Sequence, residues 1–446
     1  MRKFLPVLVV GAIPTLVFAQ QNKVSSLVDQ ELSSLVATYK TIHAAPELSH
    51  HEEKTSALLA ERLRSWGYDV TEHVGKYPNP DWKGYGVVAV MKNGAGPTLL
   101  VRADMDALPV EEKTGLAYAS KVRAKDDSGA DVPVMHACGH DVHVTSLIGA
   151  AKVLASLKDQ WRGTLILIGQ PAEERIDGAR AMLADGLYTR FPKPDYAIAL
   201  HDNSDMEAGK IAVTPGYALA SSTSLDVTIR GRASHGSRPE SSKDPIVMAA
   251  EYVLAIQTIV SRERSPFDPA VVTVGSIHGG TKHNIIPDEV HLQLSIRTYK
   301  DEVRQQIVAS LERIARGIAI AGGVPDDRMP IVEASKTEYT TSMYNDPALT
   351  ARVASAIERA IGKDNVVERP PAMASEDFPF LGLENHQIPI MMFSLGAIDA
   401  DRIKASLNGD APLPSLHSGL FYPAHEPTLR TGVIAMSAAI LDLLKK

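Results

Sequence analysis

The stretch Pro133–His143 reads PVMHACGHDVH and holds the only cysteine of the chain among three histidines. Cys138 and His140 lie two positions apart, directly before an amphipathic run that predicts a helix with Asp141 as its N-terminal cap. A loop before that helix can turn both side chains the same way, and zinc and similar divalent ions prefer thiolate and imidazole ligands. The alternative is a buried structural thiol, but Cys138 is not part of an apolar run. The stretch therefore predicts a metal site between a loop and a helix.

Short aliphatic segments on both sides of this stretch predict the strands of one sheet. They alternate with helical segments, an order typical of an α/β domain with a mainly parallel central sheet flanked by helices. Residues that can bind a metal or carry a proton follow three of these strands: Asp104, Asp106, Glu173, Glu174 and His201. Ligands in open α/β sheets bind beyond the carboxyl ends of the strands, so we expect these side chains to meet Cys138 and His140 at one sheet edge.

The adjacent residues Glu173 and Glu174 follow the aliphatic run TLILIG, and we read them as the continuation of its strand. Neighbouring side chains of a strand face opposite ways, so the pair predicts one metal ligand and one base for a bound water. His143, one turn into the predicted helix, is expected to pack or to support a ligand. The histidines that no strand end or glycine turn places are expected at the surface: His43, His50, His51 and His73.

The sequence pattern changes near residue 218. Alternating, half-exposed strands and two long helical segments follow in the order β-α-β-β-α, which predicts a small α+β unit with one exposed sheet face. We assign residues 218–330 to this inserted domain, and residues 20–217 and 331–446 to the two parts of the catalytic domain.

Composition and the N-terminus set further limits. The 446 residues are 44% hydrophobic and carry a net charge of -7, which is typical of a globular protein and indicates no nucleic-acid partner. Met1–Ala19 combines a basic start, an apolar run and small residues at Val17 and Ala19, the pattern of a cleaved export signal. An uncleaved anchor is the alternative, but the apolar run is short for a membrane helix. We therefore expect a periplasmic or secreted protein without a stable membrane anchor.

Five motifs together resemble the M20 metallopeptidase family: RADMDALP, MHACGHDVH, QPAEE, ASEDF and HSGLF. The match is strongest to its amidohydrolase branch, which includes hippurate hydrolases, N-acyl-amino-acid hydrolases and auxin-conjugate hydrolases. The resemblance runs from IHAAPELS to the C-terminal helix. It implies a di-metal catalytic domain and an inserted lid domain, with a four-stranded sheet and two helices, through which two copies form a homodimer.

The resemblance also implies a role for each matching residue. Two divalent ions (zinc, manganese, cobalt or nickel) would be held by Cys138, His140, Glu174, His201 and His417, with Cys138 bridging the two. Glu173 matches the general base. His235 matches a histidine that reaches across the dimer to the oxyanion, and Asn284 and Arg297 match residues that bind the substrate carboxylate. Asp104 and Asp106 are expected to orient the ligands.

The expected reaction is hydrolysis of the amide bond of an N-acyl amino acid. A dipeptidase or carboxypeptidase on the same metal centre is the main alternative. A non-catalytic periplasmic binding protein is a remote one, because such a protein has no need of the base Glu173. Many relatives carry a glycine run after QPAEE where this chain has Arg175, Ile176 and Asp177, and the segment after His201 also differs. Both departures lie beside the predicted metal centre and indicate an altered acyl pocket.

Overall fold

The computed structural model describes residues 13–445. Its helices are α1 (Ile13–His43), α2 (Glu53–Ser65), α3 (His140–Ser156), α4 (Gly178–Ala184), α5 (Leu187–Arg190), α6 (Pro245–Thr258), α7 (Asp301–Ala321), α8 (Pro347–Ile361), α9 (Ala400–Leu407) and α10 (His425–Leu443). Its strands are β1 (Asp69–Val74), β2 (Gly86–Asn93), β3 (Thr98–Asp104), β4 (Arg123–Lys125), β5 (Asp131–Pro133), β6 (Gly163–Gln170), β7 (Tyr196–Glu207), β8 (Ile211–Val213), β9 (Gly216–Leu219), β10 (Ser221–Arg230), β11 (Ser234–His235), β12 (Ala270–Gly279), β13 (Ile285–Ile286), β14 (Glu289–Thr298), β15 (Ile331–Thr340), β16 (Met343–Asn345), β17 (Val366–Glu368) and β18 (Ile390–Ile398).

The central sheet has eight strands in the order β1-β2-β6-β3-β7-β18-β8-β17. The pairings in its middle, from β6 through β3 and β7 to β18, are parallel, while β1 and β2 add an antiparallel edge. Side chains of β3 alternate between two cores. Leu99 and Val101 pack with α1, α3 and α10, and Leu100 packs on the opposite face with α4. Burial on both faces explains the continuous aliphatic runs, and the prediction of an α/β fold with a mainly parallel sheet is confirmed.

A separate antiparallel sheet has the order β12-β14-β10-β15. Burial alternates strictly along β14 from Val290 to Ile296, and α6 and α7 cover the buried face. The predicted four-stranded sheet with two helices is thus confirmed. Its fourth strand, β15, lies beyond the predicted boundary at residue 330, because its polar sequence IVEASKTEYT does not read as a strand. The division into domains stays a prediction.

The N-terminal prediction concerns a part of the chain that is described only partly. Residues 1–12 of the predicted export signal Met1–Ala19 lie outside the described residues, and residues 13–19 form the first part of α1. Within residues 13–445, no helix has both the length and the apolar composition needed to cross a membrane. Export therefore stays a prediction.

Two expectations are wrong: Asp141 as the N-cap of α3, and a surface position for His43 and His50. The N-cap of α3 is Gly139, and Asp141 lies in the first turn, where its carboxylate hydrogen-bonds His43 Nδ1 at 2.6 Å. His43 is buried rather than at the surface, between Asp141 and Glu112. His50 is also buried, while His51 and His73 are exposed as expected.

The buried His43 predicts a pH-dependent stability. Burial lowers the pKa of His43, but hydrogen bonds to Asp141 and Glu112 outweigh burial and raise it from 6.5 to about 9. The charged imidazole then stabilises the fold fully below pH 6.5, and this contribution is lost as the pH rises through 9. We expect His43→Gln to lower the free energy of unfolding more at pH 6 than at pH 10, by up to about 3 kcal/mol. Urea unfolding at both pH values measures this, and an equal loss at each would contradict it.

Candidate metal centre

The five predicted ligands come from four segments of the chain and meet at one edge of the central sheet. Cys138 lies in the turn before α3, and its Sγ is 3.6 Å from His201 Nε2 and 3.3 Å from His417 Nε2. Glu174 Oε1 is 3.4 Å from His417 Nε2 and 4.0 Å from His140 Nε2. The structure therefore brings together all five side chains that the resemblance assigns to the metals.

The turn before α3 requires a glycine. Gly139 has a φ of +76°, and a Cβ atom there would lie 2.2 Å from the carboxylate of Asp202. Because glycine has no side chain, the backbone can pass close to Asp202. The turn then places Cys138 and His140, on either side of Gly139, in the site.

Glu173 and Glu174 are not in a strand, contrary to the prediction. Strand β6 ends at Gln170, and the pair lies in a turn closed by a hydrogen bond from the Ile176 N–H to the Glu173 carbonyl, 2.7 Å. Asp106 anchors this turn, because its carboxylate accepts from the N–H groups of Glu173 (3.1 Å) and Glu174 (3.0 Å). As a result both side chains enter the same site, and Glu173 Oε2 lies 3.8 Å from His140 Nε2.

Hydrogen bonds to main-chain oxygens orient two of the imidazoles. Nδ1 of His140 is 2.8 Å from the carbonyl oxygen of Asp106, and Nδ1 of His201 is 2.7 Å from that of Asp202. Each ring can donate from Nδ1 and direct the lone pair of Nε2 into the site. His201 lies inside β7, which runs on to Glu207, rather than beyond the end of a strand.

Two buried atoms support a bound cation. His140 Nε2 and Glu174 Oε1 are buried and have no hydrogen-bond partner among the described residues. Buried polar atoms are normally paired, and both of these are metal-ligand atoms that face the same cluster. The residues present therefore fit a divalent metal ion.

Asp104 lies next to this cluster. It contacts the guanidinium of Arg102 and His143 Nδ1, and its Oδ2 is 3.6 Å from His140 Nε2. The other nitrogen of the His143 ring, Nε2, accepts a hydrogen bond from the Asp202 N–H at 2.9 Å. His143 is thus buried between two aspartates, and the orienting roles assigned to Asp104 and Asp106 stay predictions.

Without a metal ion, the protein environment does not favour the charged forms of Cys138, Glu173 and Glu174. Burial, and then the charges of Glu174 and Glu173, hold the pKa of the Cys138 thiol well above its ordinary value. Burial likewise raises the pKa of Glu174 to about 7 and that of Glu173 well above its usual range. A divalent cation reverses this balance by deprotonating a thiol that it binds, so metal binding here would release protons.

Cys138→Ser should bind zinc more weakly than the wild type, because a hydroxyl is a poorer zinc ligand than a thiolate. We expect a loss of more than about tenfold in affinity, since even residues that only orient a ligand cost about 10–100-fold. Elemental analysis after dialysis against a weak chelator measures this, with Cys138→Ala for comparison. Equal metal content in the wild type and both variants would argue against Cys138 as a ligand.

A cavity of about 860 Å³ is lined by four of the five predicted ligands, Cys138, Glu174, His201 and His417, and also by Arg297. The Arg297 Nη1 donates to Ser375 Oγ at 2.6 Å. We call this the Arg297 cavity. His235 and Asn284 do not line it: His235 lies on β11 and Asn284 directly precedes β13, its partner strand. The resemblance places His235 in the site of a partner subunit, so the roles of both residues stay predictions.

Sequence reasoning missed a buried charge network behind the site. Arg102 Nη2 donates to Glu376 at 2.6 Å and to Asp377 at 3.0 Å, and its Nε donates to Gln170 at 3.0 Å. The signal was present, because an arginine two residues before Asp104 in an otherwise aliphatic strand indicates a buried ion pair. Glu376 also lines the Arg297 cavity.

Comparisons with known proteins agree with this geometry. Residues 100–420 match the model of peptidase family M20/M25/M40. The chain is 40% identical over 340 residues to a hippurate hydrolase of Campylobacter jejuni, covering 76% of this chain and 82% of that protein. It is 35% identical over 347 residues to thermostable carboxypeptidase 1 of Saccharolobus solfataricus, covering 77% and 81%.

A solved structure is similar over almost the whole chain. The crystal structure of a dinuclear metal-binding peptidase of the M20 family from Bacillus subtilis has a TM-score of 0.74 and 26% identity, covering 93% of this chain and 99% of that one. With a family match over most of the chain and a relative at 40% identity, the protein belongs to peptidase family M20/M25/M40.

Proposed function

We propose that this protein is a metal-dependent amidohydrolase that cleaves the amide bond of N-acyl amino acids. The observation that carries the proposal is the position of the Glu173 carboxylate beside a cluster of metal-ligand side chains, in a cavity that also contains Arg297. The similarity to a hippurate hydrolase supports it.

Two divalent ions held by Cys138, His140, Glu174, His201 and His417 would, when bound, lower the pKa of a water and polarise the scissile carbonyl. Glu173 takes a proton from the attacking water, whose oxygen forms a bond to the carbonyl carbon. As the carbon–nitrogen bond breaks, Glu173 gives that proton to the leaving nitrogen. Burial raises the pKa of Glu173, which suits a group that must hold a proton between the two transfers. Arg297 offers a planar fork for the substrate carboxylate.

A carboxypeptidase activity is the second candidate, supported by the 35% identity to thermostable carboxypeptidase 1. The same Arg297 could bind the C-terminal carboxylate of a peptide. The two candidates differ in the group on the other side of the amide: an acyl group without an amine, or an aminoacyl residue.

A substrate panel tests the proposal. Protein loaded separately with zinc, manganese or cobalt is assayed for amine release from N-acetyl and N-benzoyl amino acids beside dipeptides and N-blocked dipeptides. We expect hydrolysis of the acylated amino acids, absent in Glu173→Gln. Cleavage of peptides alone would favour the carboxypeptidase activity over the proposed one. No cleavage of any substrate with metal bound would contradict both candidate activities.

A homodimer through the second sheet is also proposed. Strand β12 is at the open edge of that sheet, and α6 exposes apolar side chains, with Leu254 73% and Val247 54% exposed. We expect light scattering to report twice the mass of one chain, and Leu254→Arg together with Val247→Arg to shift the protein to monomers. A wild-type monomer would contradict the proposal.

We further propose that the protein is exported and acts in the periplasm or outside the cell. The pattern of Met1–Ala19 supports this. N-terminal sequencing of the protein recovered from the periplasm of an expression host should begin near Gln20, and recovery of the intact N-terminus from the cytoplasm would contradict it.

A further inference from the structure

A second cavity, of about 750 Å³, meets the Arg297 cavity at the metal centre. Glu174 and Ile176 line both cavities. The walls of the second come from the loop after β1, from α4 and from β15, and include Trp82, Tyr77 and Arg180. We call it the Trp82 cavity.

One wall of the Trp82 cavity is a preformed stack of rings. Trp82 lies flat on the buried His50, with ring centroids 3.9 Å apart and planes at 11°. Tyr77 packs edge-on against the same imidazole, 4.7 Å between centroids. His50 is held in turn by Asp177, whose two carboxylate oxygens are each 3.2 Å from Nε2. The stack is therefore fixed in place and presents an aromatic surface to the cavity.

Two polar groups in this wall lack partners. The Tyr77 hydroxyl and Arg180 Nε are buried and form no hydrogen bond with the described residues, and Tyr77 as a whole is 7% exposed. The rest of the Arg180 side chain is well placed, with its guanidinium 4.6 Å from the ring centroid of Tyr339 and a 3.0 Å hydrogen bond to the Ile176 carbonyl. Neither atom is accessible from the cavity, so the two groups lie behind the aromatic wall and do not face a ligand.

The residue at the junction of the cavities is held in an unfavourable conformation. Ile176 has a φ of +58°, which is rare for a β-branched residue and easy for glycine. Such strain persists where the surrounding structure and function require it. Ile176 lines both cavities, at the point where a substrate would pass from one to the other.

We propose that the Trp82 cavity is the acyl subsite, that it takes a flat aromatic acyl group, and that Ile176 selects for this shape. This inference rests on the proposed function. A substrate whose carboxylate binds Arg297, and whose amide lies beside Glu173, extends its acyl group past Ile176 into the Trp82 cavity. The ring packs against Trp82. An acetyl group is too small to reach it.

The first test compares kcat/KM for N-acetyl and N-benzoyl derivatives of one amino acid. We expect Trp82→Ala to lower the benzoyl-to-acetyl ratio by about tenfold, because the stacking surface is lost. Trp66→Ala, which removes a half-buried tryptophan outside both cavities, is the matched control and should leave this ratio unchanged. An unchanged ratio in Trp82→Ala would overturn the inference.

The variant Ile176→Gly distinguishes a role of Ile176 in substrate selection from a role in packing. We expect a lower benzoyl-to-acetyl ratio together with an unfolding temperature no lower than that of the wild type, because glycine relieves the left-handed strain. A lower unfolding temperature with an unchanged ratio would assign Ile176 to packing and overturn its selective role.

A binding experiment distinguishes this inference from the proposed function. Metal-free protein is titrated with 1-hydroxy-2-naphthoate, followed by fluorescence, and we expect saturable binding that weakens about tenfold in Trp82→Ala. Such binding without hydrolysis of any substrate would contradict the proposed function and retain the aromatic site. Hydrolysis of all substrates, with equal naphthoate binding by wild type and Trp82→Ala, would retain the proposed function and overturn the aromatic site.

Discussion

Glu173→Gln is expected to lower kcat by about 10²–10⁴-fold while the metal content stays the same. The amide of glutamine matches the carboxylate in shape but cannot take a proton from water and return it to the leaving nitrogen. Because Asp106 holds the backbone of Glu173 through its N–H group, the variant should keep the local structure of the turn. Steady-state kinetics and elemental analysis on the same preparation measure the two quantities.

Glu61→Gln is the matched control, since Glu61 is an exposed carboxylate on α2 far along the chain from the site. It should retain wild-type kcat and metal content. Activity of Glu173→Gln within tenfold of the wild type would refute the role of Glu173 as the base. Loss of metal from Glu173→Gln would instead identify Glu173 as a ligand.

Arg102→Met is expected to lower the free energy of unfolding by about 3–5 kcal/mol. Arg102 is 1% exposed and is the cation shared by three buried carboxylates, those of Asp104, Glu376 and Asp377. Methionine has a similar volume but no charge, so Glu376 and Asp377 would remain buried without their cation, and Asp104 would keep only its histidine partners. Urea unfolding of the metal-free protein measures the loss, and Arg102→Lys should recover part of it.

Arg430→Met is the control for this experiment. Arg430 pairs with Asp29 at 2.6 Å, but the two side chains are 42% and 51% exposed, so solvent screens the interaction. Loss of such a surface pair costs less than about 1 kcal/mol. Similar losses in Arg102→Met and Arg430→Met would show that the buried network contributes no more than a surface ion pair.

Much of the central sheet could be predicted because its signal is local. Strands β3 and β6 are buried on both faces, so each reads as a continuous aliphatic run. The proximity of Cys138 and His140 is also local, since two residues separated by one glycine share a turn whatever the rest of the chain does. The fourth strand of the second sheet, β15, could not be predicted for the opposite reason. It is largely exposed, and its polar residues show no alternation of apolar and polar side chains.

The buried histidines could not be predicted. His43 and His50 have no local feature that separates them from a surface histidine, and their partners lie far along the chain. Asp141 is 98 residues from His43, and Asp177 is 127 residues from His50. Only folding brings these carboxylates close enough to allow an imidazole to be buried.

By itself, the sequence determined the fold class, most strands of the central sheet and the residue types of a metal centre, all of which follow from short-range pattern. The tertiary structure alone decided that Glu173 and Glu174 enter one site from a turn, that Arg102 neutralises Glu376 across 274 positions, and that Ile176 lies where two cavities meet. The physical reason is that burial of a charge, and the shape of a cavity, depend on which distant segments pack together.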